Sequence, residues 1–132
     1  MEQQKTDSAY ATHCELVVYR LALKSAMQLF NLAKALPSEE QYCLAAQIKS
    51  SSRSVCANLA EAWARRRYRK AFVAKLNEVE AEAAETYTWI EIAVRCEYVT
   101  PAEAAELLVN YNSILGTVAS FIQNADAWVI SA

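Results

Sequence analysis

The chain has 132 residues, the size of one ordinary domain, and 55% of them are apolar, which excludes an intrinsically disordered protein. It contains a single glycine, Gly116, and two prolines, Pro37 and Pro101, whereas a β-sheet protein of this length needs many Gly-, Pro- and Asn-rich turns. The composition therefore predicts an all-α fold, with residues 1–132 as one domain.

The net charge of −2 conceals two segments of opposite charge. Residues 16–75 carry eleven Lys or Arg against three acids, a net +8, and residues 76–132 carry one base against nine acids, a net −8. This asymmetry predicts a binding face or self-association. The four cysteines are scattered, no secretory signal is visible and no apolar run approaches the roughly 18 residues of a membrane span, so we expect a reducing cytoplasmic location.

Residues 1–14 are polar and are expected to form a frayed leader, followed by a first helix over about residues 15–35 that Pro37 ends. This helix has two neighbouring apolar stripes, more apolar surface than one face of a bundle requires. The stripes are Leu16, Tyr19, Leu23, Ala26, Phe30 and Ala33, and Val18, Ala22, Leu29, Leu32 and Leu36.

A second helix over residues 38–65 is expected to start at Ser38 as N-cap, with Gln41 bonding back to it. Its apolar stripe is Leu44, Ile48, Val55, Leu59 and Ala62.

A third helix is predicted over residues 68–97 and a fourth over residues 100–129, the latter opened by a Thr100–Glu103 capping box with Pro101 at its first position. Their stripes are Phe72, Leu76, Val79, Ala83, Thr86, Ile90 and Ala93, and Ala104, Leu108, Tyr111, Leu115, Val118, Ile122, Ala125 and Val129. Short connections predict an antiparallel, up-down-up-down four-helix bundle. Because residues 63–70 contain no Gly, Pro or capping residue, one continuous helix over residues 38–97 is the alternative.

Polar residues on the second helix form a column beside its apolar stripe. At 100° per residue they lie within about 40° of one another. The column comprises Gln47, Ser51, Ser54, Asn58, Glu61 and Arg65. We interpret it as a structural network that sets helix register, because buried polar groups in bundles bond to neighbouring helices.

The alternative for this column is a carboxylate metal site, with Glu61 joining Glu78, Glu82 and Glu85. Di-iron bundles need Glu-x-x-His motifs on two helices, and the only histidine here is His13 in the leader. A lone histidine also excludes the usual nucleophile–base pairs, and a single glycine excludes a phosphate-binding loop. We therefore expect no catalytic residues, no metal, no cofactor and no enzymatic activity.

A basic cluster marks the predicted turn between the second and third helices, where Tyr68 lies among five bases. Arginine pairs bidentately with phosphate, and tyrosine stacks on unpaired bases, so the cluster is a candidate nucleic-acid site. With two bases on the outer face of the second helix, the candidate set is Lys49, Arg53, Arg65, Arg66, Arg67, Arg69 and Lys70. The alternative is a solvated turn whose arginines cap helix carbonyls or pair with acids of another subunit.

The stretch QIKSSSRSVCANLAEAWAR, residues 47–65, resembles a family signature that reads roughly Gln-Ile-Arg-Arg-x-x-x-Ser-Ile-Pro-x-Asn-Ile-Ala-Glu-Gly-x-x-Arg. The signature is that of the four-helix-bundle proteins encoded in intervening sequences of large-subunit ribosomal RNA genes. Identical positions are Gln47, Ile48, Ser54, Asn58, Ala60, Glu61 and Arg65. The chain departs from it at Cys56, which replaces the proline, and at Ala62 and Ala64, which replace turn glycines.

The resemblance implies a ring-like homopentamer without established enzymatic activity. It also implies similarity to the accessory variability determinant of diversity-generating retroelements, a basic pentamer that binds nucleic acid and partners a reverse transcriptase. We therefore expect a non-enzymatic oligomer that binds RNA or a nucleoprotein partner, such as a reverse transcriptase, through its basic turn, with no membrane contact. The alternative is a homo-oligomeric protein-interaction scaffold in which the oppositely charged segments meet between subunits.

Overall fold

The computed structural model describes residues 12–130, and this range contains four long helices, one short helix and no β-strand. The helices are α1 (Val17–Lys34), α2 (Leu44–Ala64), α3 (Arg69–Arg95), α4 (Pro101–Gln123) and α5 (Ala125–Trp128). Short 3-10 turns occupy His13–Glu15 and Ser38–Glu40. The all-α prediction is confirmed. Most of the predicted leader, residues 1–11, lies outside the described residues.

One apolar core runs between the long helices. α2 packs against α1 and α3, and α4 packs against α3 and α1. Every residue of the stripes predicted for α2 and α3 is buried in this core. None of the described helices has the length and hydropathy needed to cross a bilayer. The regular spacing of apolar residues was sufficient to identify the buried faces of these two helices.

The two apolar stripes of α1 have different environments. In the stripe that contains Val18, four of the five residues are buried, and Leu32 is half-buried. In the other stripe Leu16, Ala26 and Ala33 are buried, whereas Leu23 is 44% exposed and Tyr19 and Phe30 are half-buried. A helix can turn only one side toward its neighbours, so the second stripe extends onto the surface. The excess apolar surface expected from the sequence is therefore present on α1.

The start of α2 differs from the prediction. The helix begins at Leu44, not at Ser38, and Ser38 makes no side-chain capping bond. Instead, the Gln41 amide donates to the carbonyls of Ala33 (3.0 Å) and Leu36 (2.9 Å). It thereby adds a second donor to the Ala33 carbonyl, which also accepts the Leu36 N–H at 3.2 Å, and bonds Leu36 just beyond the end of α1. The predicted Ser38 cap is wrong because Gln41 is used by the preceding helix.

The turn between α2 and α3 confirms a break in place of one continuous helix. α2 ends at Ala64, and residues 65–68 lead to Tyr68, whose backbone is extended at φ −120° and ψ 100°. Ala62 and Ala64, at the positions of the family glycines, are both helical. Within residues 12–130 the only positive φ is at Glu97, so this turn requires no glycine.

The start of α4 confirms the predicted capping box: the Glu103 N–H donates to Thr100 Oγ1 (3.1 Å), and the Thr100 N–H donates to Glu103 Oε1 (2.9 Å). The helix ends at Gln123 instead of residue 129, because Asn124 leaves helical geometry and its side chain bonds the Ser120 carbonyl at 3.0 Å.

The buried stripe of α4 is only partly the predicted one. Ala104, Tyr111, Val118 and Ala125 are buried as expected, but the positions between them are Leu107, Ile114 and Phe121, each one residue before the predicted position. Because α4 is apolar on both sides of Tyr111, its sequence allows either choice, and the neighbouring helices decide.

Candidate nucleic-acid interface

The α2–α3 turn concentrates positive charge where two helices end. The first turn of α3 contains Arg69 and Lys70 and no acid. Basic side chains at a helix N-terminus oppose the helix dipole and cost a few tenths of a kcal/mol each. The bases therefore slightly destabilise the start of α3. Their charge adds to the positive end of the helix dipole, and together they favour binding of an anion at this turn.

Besides Arg69, which is paired with Asp126, four side chains of the turn face solvent. Arg65 is about half exposed and pairs with Glu61 on the preceding turn of α2, at 3.9 Å between Nη2 and Oε1. Arg67 and Lys70 are exposed, and Tyr68 between them is 69% exposed. Three bases and one aromatic ring are thus accessible together, which is the combination that phosphate binding and base stacking require.

Arg66 does not belong to this exposed set. Its side chain is buried, its Nε donates to the Trp63 carbonyl at 3.1 Å, and its guanidinium lies 4.0 Å from the centre of the Trp63 ring. The Ile130 N–H donates to the Arg66 carbonyl at 3.0 Å. Arg66 therefore acts as a structural residue here, and we leave it out of the candidate interface.

Arg69 is exposed but forms an ion pair. Its Nε donates to Asp126 Oδ1 at 2.6 Å, in an ion pair that joins the start of α3 to α5. The Arg65–Glu61 contact is much longer, at 3.9 Å, so among the predicted bases of the turn Arg65, Arg67 and Lys70 form the accessible group.

Lys49 and Arg53 lie away from the turn. Arg53 is about 18 Å along α2 from Arg65, at a rise of about 1.5 Å per residue. It lines an apolar groove of about 420 Å³ between α1 and α2, with its guanidinium 5.9 Å from the ring centre of Phe30. The remaining lining residues are Tyr19, Leu23, Ala26, Met27, Cys56, Ala57 and Ala60. The sequence grouped these two bases with the turn, whereas the structure places Arg53 in a second, mainly apolar surface.

Part of the polar column bridges α2 and α3. The hydroxyl of Thr86 donates to Ser51 Oγ at 2.8 Å, and Ser51 in turn donates to the Gln47 carbonyl at 2.8 Å. Lys75 donates to Asn58 Oδ1 at 3.5 Å. Ser54 is half-buried, and Gln47 is exposed, so Gln47 contributes its backbone to this network.

Lys75 is a central residue that the sequence reasoning missed. Its ammonium lies 3.3 Å from Glu61 and 3.0 Å from Glu78, and these carboxylates raise the pKa of Lys75, chiefly through the hydrogen bond to Glu78. The i,i+3 spacing of Lys75 and Glu78 was the available signal. A protein cation therefore stands between two carboxylates of the alternative metal site.

The other carboxylates of that alternative do not complete a metal site. Burial raises the pKa of Glu82, and the charges of Glu85 and Glu78 raise it further. No group of three or more metal-ligating side chains occurs within residues 12–130.

The described range forms a small all-helical protein with a group of exposed bases at one turn. The chain belongs to the 23S rRNA-intervening sequence protein family, whose model matches residues 14–120. It is also similar to a solved structure from Bacteroides thetaiotaomicron, a protein of unknown function from the S23 ribosomal protein family. The two are 33% identical with a TM-score of 0.73, over 80% of this chain and 98% of that one. No curated protein matches the chain.

Proposed function

We propose that this protein is a non-enzymatic homo-oligomer that binds single-stranded RNA through Arg65, Arg67 and Lys70. The observation that carries the proposal is the exposure of these bases around Tyr68, because Arg67 and Lys70 have no ion-pair partner within the described range. The family's name links these proteins to an intervening sequence of 23S rRNA, so RNA is the nucleic acid to test first.

The architecture that would present this turn is an antiparallel, up-down-up-down bundle. Pairings between α2 and α3 support it, since Ser51 contacts Thr86 whereas Asn58, further along α2, contacts Lys75, earlier in α3. Such an arrangement places the α2–α3 turn at one end of the molecule, where a phosphate backbone could reach several bases at once.

Oligomerisation is the second part of the proposal, with the pentamer of the resembling proteins as the expected state. Leu23 is 44% exposed and Met27 is 55% exposed, and both line the apolar groove of α1 and α2. A contiguous apolar surface of this kind is typical of a protein interface. The similarity to retroelement accessory proteins makes a reverse transcriptase the protein partner to test.

The alternative function is a homo-oligomeric scaffold without nucleic-acid binding. The same groove favours it, because it offers a contact surface that needs no RNA. In that case the segments of net charge +8 and −8 would meet across subunit interfaces, and the bases of the turn would pair with acids of a neighbouring copy.

The experiment compares two double variants of equal charge change. Arg67→Gln with Lys70→Gln removes two of the three proposed RNA-binding charges, and Lys24→Gln with Arg95→Gln removes two exposed charges elsewhere. Binding of a fluorescently labelled oligouridylate is measured by anisotropy over a range of salt concentrations, and the oligomeric state is measured by sedimentation.

We expect the turn variant to bind RNA at least roughly tenfold more weakly, with an unchanged oligomer. The slope of log affinity against log salt should fall by about 0.7 for each phosphate that the variant no longer neutralises. The control should keep most of the affinity. Absence of RNA binding by the wild type would refute the RNA proposal, and loss of the oligomer in the turn variant would favour the scaffold.

A further inference from the structure

Residues 124–130 fold back over the α2–α3 turn, and we call them the strap. After Asn124 ends α4, α5 carries Trp128 to a position 5.6 Å from Trp63 and 5.0 Å from Phe121, between ring centres. The Ile130 N–H then bonds the turn itself, donating to the Arg66 carbonyl at 3.0 Å. The strap is thus held by aromatic packing and by one backbone bond to the turn.

This anchoring places a carboxylate against the candidate interface. Asp126 is two residues before Trp128, and its Oδ1 lies 2.6 Å from Arg69 Nε. A carboxylate on a guanidinium has the geometry and charge that a phosphate would adopt there. Arg69 directly precedes Lys70 and is two residues from Arg67, so the occupied base adjoins the accessible ones.

We propose that the strap is an autoinhibitory element in which Asp126 takes the place of an RNA phosphate on Arg69. This inference rests on the proposed RNA binding and adds its regulation. While the strap is closed, the turn offers three accessible bases. Displacement of Asp126 makes Arg69 a fourth. The strap lies outside residues 14–120, the range that the family model matches.

The exposure of the ion pair determines how strong this inhibition is. Asp126 is 86% exposed and Arg69 is 55% exposed, and pairs of this kind are readily displaced by a competing anion. A phosphate can therefore replace the carboxylate without unfolding the strap. The strap lowers RNA affinity by a modest factor and does not block binding.

The experiment removes the carboxylate charge and keeps the side-chain shape. Asp126→Asn is compared with Glu91→Gln, which makes the same charge change at an exposed position about 33 Å along α3 from Arg69. Affinity for the labelled oligouridylate is measured against salt, and thermal unfolding establishes that both variants are folded.

We expect Asp126→Asn to bind RNA about two- to fivefold more tightly than the wild type. Its salt slope should be steeper by about 0.7, as for one additional neutralised phosphate. Glu91→Gln should remain close to the wild type. In an Arg69→Gln background, Asp126→Asn should bring no gain, because the carboxylate acts through Arg69.

The outcomes separate this inference from the proposed function. If the wild type binds RNA and Asp126→Asn behaves as Glu91→Gln does, the autoinhibitory role is refuted and RNA binding stands. A gain that persists in the Arg69→Gln background also refutes it, since the effect would then be a general charge effect. If neither the wild type nor any variant binds RNA, the proposed function fails and the strap has no site to regulate.

Discussion

The connecting loops at the two ends of this protein are held together by different contacts. The Tyr98 end comprises Leu36–Cys43 and Cys96–Thr100, which meet where the Tyr98 hydroxyl donates to Glu40 at 2.8 Å. The Arg66 end comprises Arg65–Lys70 and Asn124–Ile130, which meet at the Ile130 to Arg66 backbone bond. They are joined by α2, whose 21 residues span about 31 Å.

The difference lies in how many polar side chains each end uses internally. At the Tyr98 end, Gln41 bonds the last carbonyls of α1, Glu40 binds Tyr98 and the Leu44 N–H, and Thr100 caps α4. At the Arg66 end, the Arg66 side chain bonds the Trp63 carbonyl, whereas the side chains of Arg67 and Lys70 face solvent. The exposed side chains at the Arg66 end are basic, whereas Glu39, exposed at the Tyr98 end, is acidic, so the proposed anionic ligand is expected at the Arg66 end.

The largest effect on the free energy of unfolding should come from the buried Arg66. We expect Arg66→Ala to lower the free energy of unfolding by about 2 kcal/mol, since it removes a charged hydrogen bond and a cation–π contact from a buried position. Arg67→Ala, next to it but exposed, should change that free energy by less than about 0.5 kcal/mol. Urea denaturation followed by circular dichroism measures both, and equal effects would contradict the division between them.

A smaller effect on the free energy of unfolding should distinguish the helix cap at Thr100 from the predicted cap at Ser38. Thr100→Ala should cost about 1 kcal/mol, because Thr100 accepts the Glu103 N–H in the capping box. Ser38→Ala should cost less than about 0.5 kcal/mol, because Ser38 makes no capping bond. Thermal unfolding of the two variants tests this pair, and a larger loss at Ser38 would show that the assigned start of α2 is wrong.

The smallest effect concerns pH at the Tyr98 end. The hydrogen bond to Glu40, with burial, raises the pKa of Tyr98 from 10.0 to about 12. The folded state therefore holds this proton more tightly than the unfolded state, so the stabilisation is complete below pH 10 and is lost as pH rises toward 12.

Tyr98→Phe removes this titration. Its unfolding free energy should thus fall less than that of the wild type between these pH values, as measured by urea denaturation. The other tyrosines are common to both proteins and cancel. Parallel losses in the two proteins would show that Glu40 does not bind the phenol in solution.

How much of this structure is predictable varies from helix to helix. The buried faces of α2 and α3 follow from single stripes with polar flanks, and the α4 cap follows from Thr100, Pro101 and Glu103 in series. The buried faces of α1 and α4 are less predictable, because each helix is apolar on more than one side. There the choice between Leu107 and Leu108 depends on neighbouring helices that local spacing does not specify.

The sequence predicts where the candidate site lies but not which of its bases are accessible. The clustered bases indicated both the end of α2 and its charge, although no helix stop signal accompanies them. No local pattern distinguished Arg66, which packs on Trp63, from Arg67, which faces solvent. Lys75 was missed for a related reason, since its partner Glu61 lies on another helix.

The sequence by itself determined the helical class, the family and the concentration of bases near residue 66, and it favoured a break there over one continuous helix. These properties depend on composition and on spacing along the chain, which local physical chemistry translates directly into structure. The tertiary structure decided which bases are accessible, because Trp63, Trp128 and Asp126 reach the turn only once α2 and α4 are packed. Burial and pairing depend on residues far apart in the chain, and for that reason the assignment of Arg66, Arg69 and Lys75 required the fold.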